Sequence, residues 1–362
     1  MNIAKLTPWQ DTLFASVEAL GVPLQIVGDA EVPMTSVSAI RSAWRDCVTS
    51  HGNHDERHRI RVLDDATPDP ARALADLSTQ VTLAALDAVR GTRLLLHAAG
   101  VAAPDGRVLA LVGPSGRGKT TAARHLGTRF GYVSDESVAV DDALTVWPYR
   151  KPLSVIVEGR PFKEQIAPSD LGLLPLPDAP LRLAGIALLE RDPDADDTRI
   201  IPVDLIDAIC EMTPQISYLP ELPSPLQYVA GIVERIGSVT RLIYRDAADL
   251  TAVAEGMFAA APPRAQDWSP APRAKATGPW RCAEVDDAIL VNGRACILRE
   301  GVVTALDHRG CLVWTMCLEG AATDDIVRAA VATFGAPENA DARELIEETL
   351  EALSAHGLLA PA

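Results

Sequence analysis

The sequence is short of the features that would direct it into a membrane or out of the cell. No apolar run reaches the roughly 18–20 residues that span a bilayer. The first residues, Met1-Asn2-Ile3-Ala4-Lys5-Leu6-Thr7-Pro8, lack the basic-then-apolar order of a signal peptide. The six cysteines, at 47, 210, 282, 296, 311 and 317, contain no C-x-x-C spacing. Neither a zinc site nor a disulfide framework is readable from them, and buried thiols are expected. Positive charge is scarce as well. The formal charge of −16 argues against nucleic acid or an anionic membrane as partner and favours a neutral or basic polypeptide. A cytoplasmic protein is the expectation.

What is present is ample apolar material, 48% of 362 residues, together with 27 prolines. That length favours two domains, and the prolines favour many loops or a linker. One stretch stands out. The apolar run Val108–Val112 leads into Gly113-Pro114-Ser115-Gly116-Arg117-Gly118-Lys119-Thr120-Thr121 and then a helical pattern. Gly113, Gly118, Lys119 and Thr120 satisfy G-x-x-x-x-G-K-[ST] in a strand–loop–helix setting. Glycines let the backbone curl around a phosphate chain with several N–H groups inward, and the following helix adds its positive end. Lys119 is then expected to reach the β/γ-phosphates and the Thr120 hydroxyl to hold Mg²⁺. The competing explanation is a glycine-rich turn that fits by chance. The expected ligand is a nucleoside triphosphate, ATP with Mg²⁺.

Around this stretch, residues 1–70 read as short strands with one helix near 36–48. His51, His54 and His58 lie within them; a metal site is conceivable there, although Gly52-Asn53 and mixed charges more often mark a wet loop. Residues 70–90 have helical apolar spacing that stops at Gly91. Asp105-Gly106 reads as a hairpin turn into the strand before the glycine loop. Gly131–Ser137 reads as a short strand ending in the acids Asp135 and Glu136, followed by a hairpin across Asp141-Asp142. Residues 148–183 read as charged loops able to close over a substrate. A buried strand at 184–189 and helices near 203–212, 224–236 and 246–260 complete a first domain, 1–260. Pro/Ala-rich residues 261–282 read as a semi-extended linker. Beyond it come three short strands, turned at Asn292-Gly293 and Glu300-Gly301, and three helices at 308–319, 323–334 and 341–356.

Two resemblances sharpen this outline. Leu96-His97-Ala98-Ala99-Gly100-Val101, then Gly113–Thr120, then Ser134-Asp135-Glu136 resemble, in order and spacing, the HPr kinase/phosphorylase family and its relatives that phosphorylate serine in modified peptides. Arg150-Lys151-Pro152-Leu153 looks like the proline-flanked basic segment of these relatives. The acidic pair is Asp-Glu where bacterial HPr kinases have Asp-Asp, and their E-x-R-G-x-G signature is not found. Both departures weigh against phosphorylase activity and against HPr as the substrate. Residues 283–362 resemble PqqD, a small winged-helix module that binds leader peptides of ribosomally made, modified peptides. There the strand–helix order and apolar pattern carry the match.

The resemblances imply an α/β P-loop kinase domain fused to an α+β winged-helix domain, with a precursor peptide as partner. Asp135 is implied as general base and Glu136 as Mg²⁺ ligand, directly or through water, although the two roles are exchangeable on sequence alone. His97 is implied at the γ-phosphate or the acceptor; a hydrogen-bonded structural histidine is the plainer alternative. Arg150 and Lys151 would clamp phosphate or peptide, or form a solvated basic loop. The leader would add as a strand beside Val302-Val303-Thr304-Ala305-Leu306 and lie against residues 341–355. Residues 283–362 carry 14 acids against 5 Lys and Arg, which suits a leader with basic residues. A flexible linker would raise the effective concentration of the held peptide to about millimolar. The rival readings are phosphorylation as an activating step, a non-catalytic adaptor gated by nucleotide, and a kinase acting on a folded protein. Relatives of HPr kinase are often oligomers, but no interface is legible here.

Overall fold

The structure is a computed structural model that describes residues 11–50, 58–62, 70–275 and 278–362. It is a mixed α/β protein whose chain divides into two compact units. The first comprises 1–201, 215–217 and 240–261, the second 202–214, 218–239 and 262–362. Among the described residues no helix is long and apolar enough to cross a membrane. All six cysteines are free, four of them buried. Of the three histidines weighed for a metal, His51 and His54 lie outside the described residues.

The first unit opens with β1 (Thr12–Ala19) and β2 (Val22–Gly28), an antiparallel pair, then α1 (Met34–Ala43) and β3 (Arg59–Val62), parallel to β2. The long helix α2 (Pro70–Val89) buries Leu77, Val81, Ala85 and Val89, the face set by three- and four-residue spacing. Next come β4 (Leu94–Leu96), β5 (Ala98–Ala102) and β6 (Arg107–Val112), with β5 and β6 antiparallel across the Asp105-Gly106 turn. The glycine loop leads from β6 into α3 (Lys119–Leu126), and β7 (Gly131–Ser134) follows. The hairpin over Asp141-Asp142 forms as β8 (Val138–Val140) and β9 (Val146–Trp147). Residues 148–183, expected as loops, contain the small hairpin β10 (Leu153–Val155) and β11 (Glu164–Ile166). After it run β12 (Arg182–Arg191) and β13 (Arg199–Pro202).

The central six-stranded sheet has the order β13-β15-β12-β6-β5-β7, where β15 is Val239–Tyr244, and β12 runs parallel to β6. A second, four-stranded sheet has the order β14-β4-β8-β9, where β14 is Ile216–Ser217. Helices α3 and α6 (Leu250–Ala259) cover the central sheet through a core that includes Leu109, Leu111, Leu126, Tyr132, Leu242 and Phe258. The β5–β7 ribbon does not end at the sheet margin. Gly100 pairs with Ser134, Ala98 N–H donates to Glu136 O (3.1 Å), and Leu96 pairs with Val138. One ribbon therefore passes from one sheet into the other. It turns its corner at a single residue, His97, on one side and at 135–137 on the other.

The second unit is built on the sheet β16-β18-β19-β20: Trp268–Pro270, Asp287–Val291, Arg294–Arg299 and Val302–Leu306. Asn292 and Gly293 have φ of +48° and +77°, Glu300 and Gly301 +50° and +78°. Both hairpins therefore use left-handed pairs, the geometry that matches strand twist. Helices α7 (His308–Leu318), α8 (Thr323–Phe334) and α9 (Ala342–Ala355) pack over it around Ile297, Trp314, Ile326 and Leu350. Asp307 and Asp341 cap α7 and α9 by accepting backbone N–H bonds at their first turns. A last pair, β17 (Trp280–Cys282) with β21 (Leu359–Pro361), closes the unit.

Two expectations about domain boundaries differ from this architecture. Helices α4 (Leu205–Met212) and α5 (Pro225–Ile236), expected in a first domain of 1–260, group with the second unit. The reason is Asp287 at the start of β18, which is 6% exposed and accepts from Leu226 N–H (2.8 Å), Gln227 N–H (3.0 Å) and Gln227 Nε2 (2.7 Å). It caps α5 from outside, because the residue before the helix, Ser224, makes no side-chain cap. The stretch 261–282, expected as a plain linker, supplies β16 and β17. Proline is tolerated on an outer strand, and Trp268 Nε1 donates to Glu234 while Gln266 Nε2 donates to Asp204, fastening the stretch along the second unit.

Candidate functional site

The glycine loop shows why its residue types are needed. Gly116 and Gly118 sit at φ of +83° and +87°, where a side chain is strained, and a Cβ on Gly118 would come 2.8 Å from the Tyr244 hydroxyl. Tyr244 in turn donates to Arg117 O (3.0 Å), bracing the loop from β15. Around Gly116 an added Cβ would meet no atom within 4 Å, so the loop is open at this residue. Gly113 is buried, while Pro114, Ser115, Gly116 and Arg117 are exposed. Thr120 is half-buried and Thr121 exposed, both in the first turn of α3. Lys119, only 6% exposed, donates from Nζ to Gly113 O (2.5 Å) and Pro114 O (3.2 Å). Burial pulls its ammonium below the usual lysine value, partly offset by the Glu136 carboxylate. This is a largely covered cation held by two carbonyls.

The corner of the β5–β7 ribbon brings the other candidates together. Ser134 Oγ accepts from the N–H groups of Glu136 (3.2 Å) and Ser137 (3.0 Å), which fixes the turn that carries the acids. Asp135 is 7% exposed and its Oδ1 accepts from Tyr132 Oη (3.0 Å). Burial and the neighbouring Asp135 charge push the Tyr132 phenol well above its usual range, so it stays a donor. Glu136 is less covered, 40% exposed at the side chain, and its Oε2 lies 3.0 Å from Lys151 Nζ. Burial lowers Lys151, but Asp135 and Glu136 outweigh it and the net shift is upward. His97 is pulled below its usual value by burial first and by the Lys119 charge second, against the pull of Glu136 and Asp135. Its imidazole is therefore neutral near pH 7.

Arg150 is not brought to this cluster. It is 9% exposed, and Nη1 donates to Tyr132 O (2.7 Å) and Leu174 O (2.8 Å), with the guanidinium 5.7 Å from the Tyr132 ring centre. It braces β7 from beneath. Its neighbour Lys151, one residue on, points instead at Glu136. Beside the corner lies a cleft of about 310 Å³ lined by His97, Glu136, Ser137, Lys151 and one face of α2, including Ser78 and Thr82. Glu136 and His97 are thus shared between the cleft and the electrostatic environment of Lys119. Sequence reasoning missed Tyr132, three residues before Asp135 on β7, and the α2 face, which reaches the cluster only through tertiary packing. The Ser-x-x turn at Ser134 was open to detection, because a serine just before paired acids is a local turn signal.

In the second unit, β20 is the last strand of its sheet, and among the described residues no strand pairs with its outer side. Thr304, Ala305 and Leu306 from β20 face Glu348, Ala352 and Leu353 from α9 across a groove of about 380 Å³. Val302 is 64% exposed and Val303 half-buried.

The glycine loop has two glycine backbones in the left-handed region, open space at Gly116 and a covered ammonium held by two carbonyls, groups of the kind that can cradle an anion. Mg²⁺ needs few protein ligands when phosphate oxygens complete its shell. Among the described residues there is no group of three or more His, Cys, Asp or Glu that could hold a metal. The Thr120 hydroxyl stands in the first turn of α3, and the carboxylates of Asp135 and Glu136 at the ribbon corner.

No family model matches the sequence, and no curated protein matches it. One solved structure similar to part of the chain is TbiB1 in complex with the TbiA(beta) leader peptide. The two are 23% identical over 24% of this chain and 94% of that chain, with a TM-score of 0.16.

Proposed function

We propose that the protein is an ATP- and Mg²⁺-dependent kinase that phosphorylates a Ser or Thr hydroxyl of a ribosomally made precursor peptide, recruited through its leader by a PqqD-like second unit. The observation that carries this reading is the convergence of His97, Glu136 and Lys151 on one cleft, with Glu136 close enough to perturb Lys119 of the glycine loop. MgATP supplies the phosphoryl group, and phosphoryl transfer asks little of the protein beyond positioning and charge neutralisation. The loop amides and Lys119 hold the phosphates. Thr120 and the buried Asp135, oriented by Tyr132, serve the metal side. Glu136, the carboxylate that lines the cleft, takes the acceptor proton. This exchanges the two roles first weighed for the pair, because the more exposed acid is the one an incoming hydroxyl meets. Lys151 holds Glu136 in place, and neutral His97 hydrogen-bonds the acceptor or the phosphate. The leader would pair with the outer side of β20 and pack against α9.

The test is mass spectrometry of a candidate precursor peptide, with its leader, after incubation with protein, ATP and Mg²⁺. One added phosphoryl group is expected. Glu136→Gln is expected to lower kcat by about 10²–10⁴ while nucleotide still binds. Asp135→Asn should instead raise the Mg²⁺ concentration required. A peptide that leaves the reaction unmodified while ATP is bound would return the protein to the adaptor reading.

A further inference from the structure

The cleft beside the ribbon corner has walls that describe what enters it. One wall is α2 and the other is the Ser134–Ser137 turn with Lys151 and Ser154. The walls are fastened together: Thr82 Oγ1 is 2.8 Å from Tyr149 Oη inside the protein, two residues from Lys151. The cleft is therefore preformed. Its volume, about 310 Å³, is at the lower limit of small-ligand sites. That is roughly ten waters' worth of space, at ~30 Å³ each. A folded protein surface cannot enter such a space, whereas one or two residues of an extended chain can.

Its chemistry is equally restrictive. The lining includes the hydroxyls of Ser78, Thr79 and Ser137. The one lysine, Lys151, is already engaged by Glu136. A charged substrate side chain would give up water without finding a free counter-charge. At the mouth stands Leu83, a helix residue 56% exposed, with Leu86 beside it on the same lining. We propose that this cleft is the acceptor subsite, and that it takes the hydroxyl-bearing residue of an extended, uncharged segment whose adjacent side chain is apolar and rests on Leu83. The inference depends on the kinase reading for the word acceptor, but not for the binding itself.

The probes are two short synthetic peptides, Ac-Gly-Ser-Leu-amide and Ac-Gly-Ser-Asp-amide, with the full chain and MgATP. The leucine peptide should be phosphorylated with a kcat/KM about tenfold above the aspartate peptide. Leu83→Arg, an exposed substitution expected to leave the fold intact, should remove that preference and lower kcat/KM for the leucine peptide about tenfold. Leu83→Met, which keeps an apolar side chain of similar volume, should retain the preference. Saturation-transfer NMR with the unreactive Ac-Gly-Ala-Leu-amide separates the two levels. Binding to the wild type that is lost in Leu83→Arg, with no phosphate transfer to any peptide, keeps the cleft and removes the kinase. Equal transfer or equal binding by wild type and Leu83→Arg overturns the cleft assignment.

Discussion

Glu136 and Lys151 form an ion pair with one partner enclosed and the other at the cleft. Replacing Lys151 by Met takes a cation from two carboxylates, Glu136, which water still reaches, and Asp135, which is 7% exposed. The cost to stability is expected to exceed the ~1 kcal/mol of an exposed pair and to stay below the ~3–5 kcal/mol of a fully enclosed pair left with a lone charge. Urea unfolding at pH 8 measures it, while kcat should fall far more than stability because Glu136 loses its orientation. The pH dependence has a definite sign. The lysine's folded value is raised above its ordinary 10.5, so its contribution is complete below pH 10.5 and disappears as pH rises through the folded value. Lys151→Met should therefore lose the extra alkaline destabilisation of the wild type above pH 10.5; identical alkaline limbs would contradict this.

Elements bear on the glycine loop and on α5. Gly116→Ala meets only backbone strain and is expected to cost about 1 kcal/mol. Gly118→Ala adds the collision with Tyr244 and should cost clearly more. Combining it with Tyr244→Phe should recover part of the excess, measured by urea unfolding, since the colliding hydroxyl is then gone. Asp287→Ala removes the outside cap of α5 and strands two backbone N–H groups; a loss of about 2–3 kcal/mol is expected, with α5 amides losing hydrogen-exchange protection first. The same elements mark the limit of what the sequence disclosed. The strand–loop–helix of 108–126 and the turns at Asn292-Gly293 and Glu300-Gly301 were legible because the information is local. The cap of α5 was not, because its donors and acceptor are about sixty positions apart. Nor was β16, three residues in a proline-rich stretch whose pairing depends on a strand some twenty residues later. At the site, Lys119, Asp135, Glu136 and His97 were named from pattern and resemblance. Which carboxylate faces the cleft required the three-dimensional turn around Ser134.

At the scale of the whole molecule the acidic balance is uneven, since residues 283–362 hold 14 of the 49 acids with only 5 basic residues. Glu348 and Asp307 line the β20–α9 groove, beside Arg309 and His356. Binding of a leader that carries basic residues should therefore weaken severalfold between about 50 and 300 mM NaCl, as screening shortens to within ~10 Å. Fluorescence anisotropy of a labelled leader reads this directly, and a flat salt profile would argue against an electrostatic share in recognition. The corner at His97 also has a consequence for how this chain can be altered. It contains no slack: one residue separates two strands that belong to different sheets. An alanine inserted after His97 would not lengthen a loop but would invert the facing of β5, sending Ala99 to where Gly100 now lies. There even a lone Cβ would come 3.0 Å from Val138. Chain length is thus held more tightly at this point than side-chain identity, and tags or spectroscopic probes belong at the exposed residues 158–163.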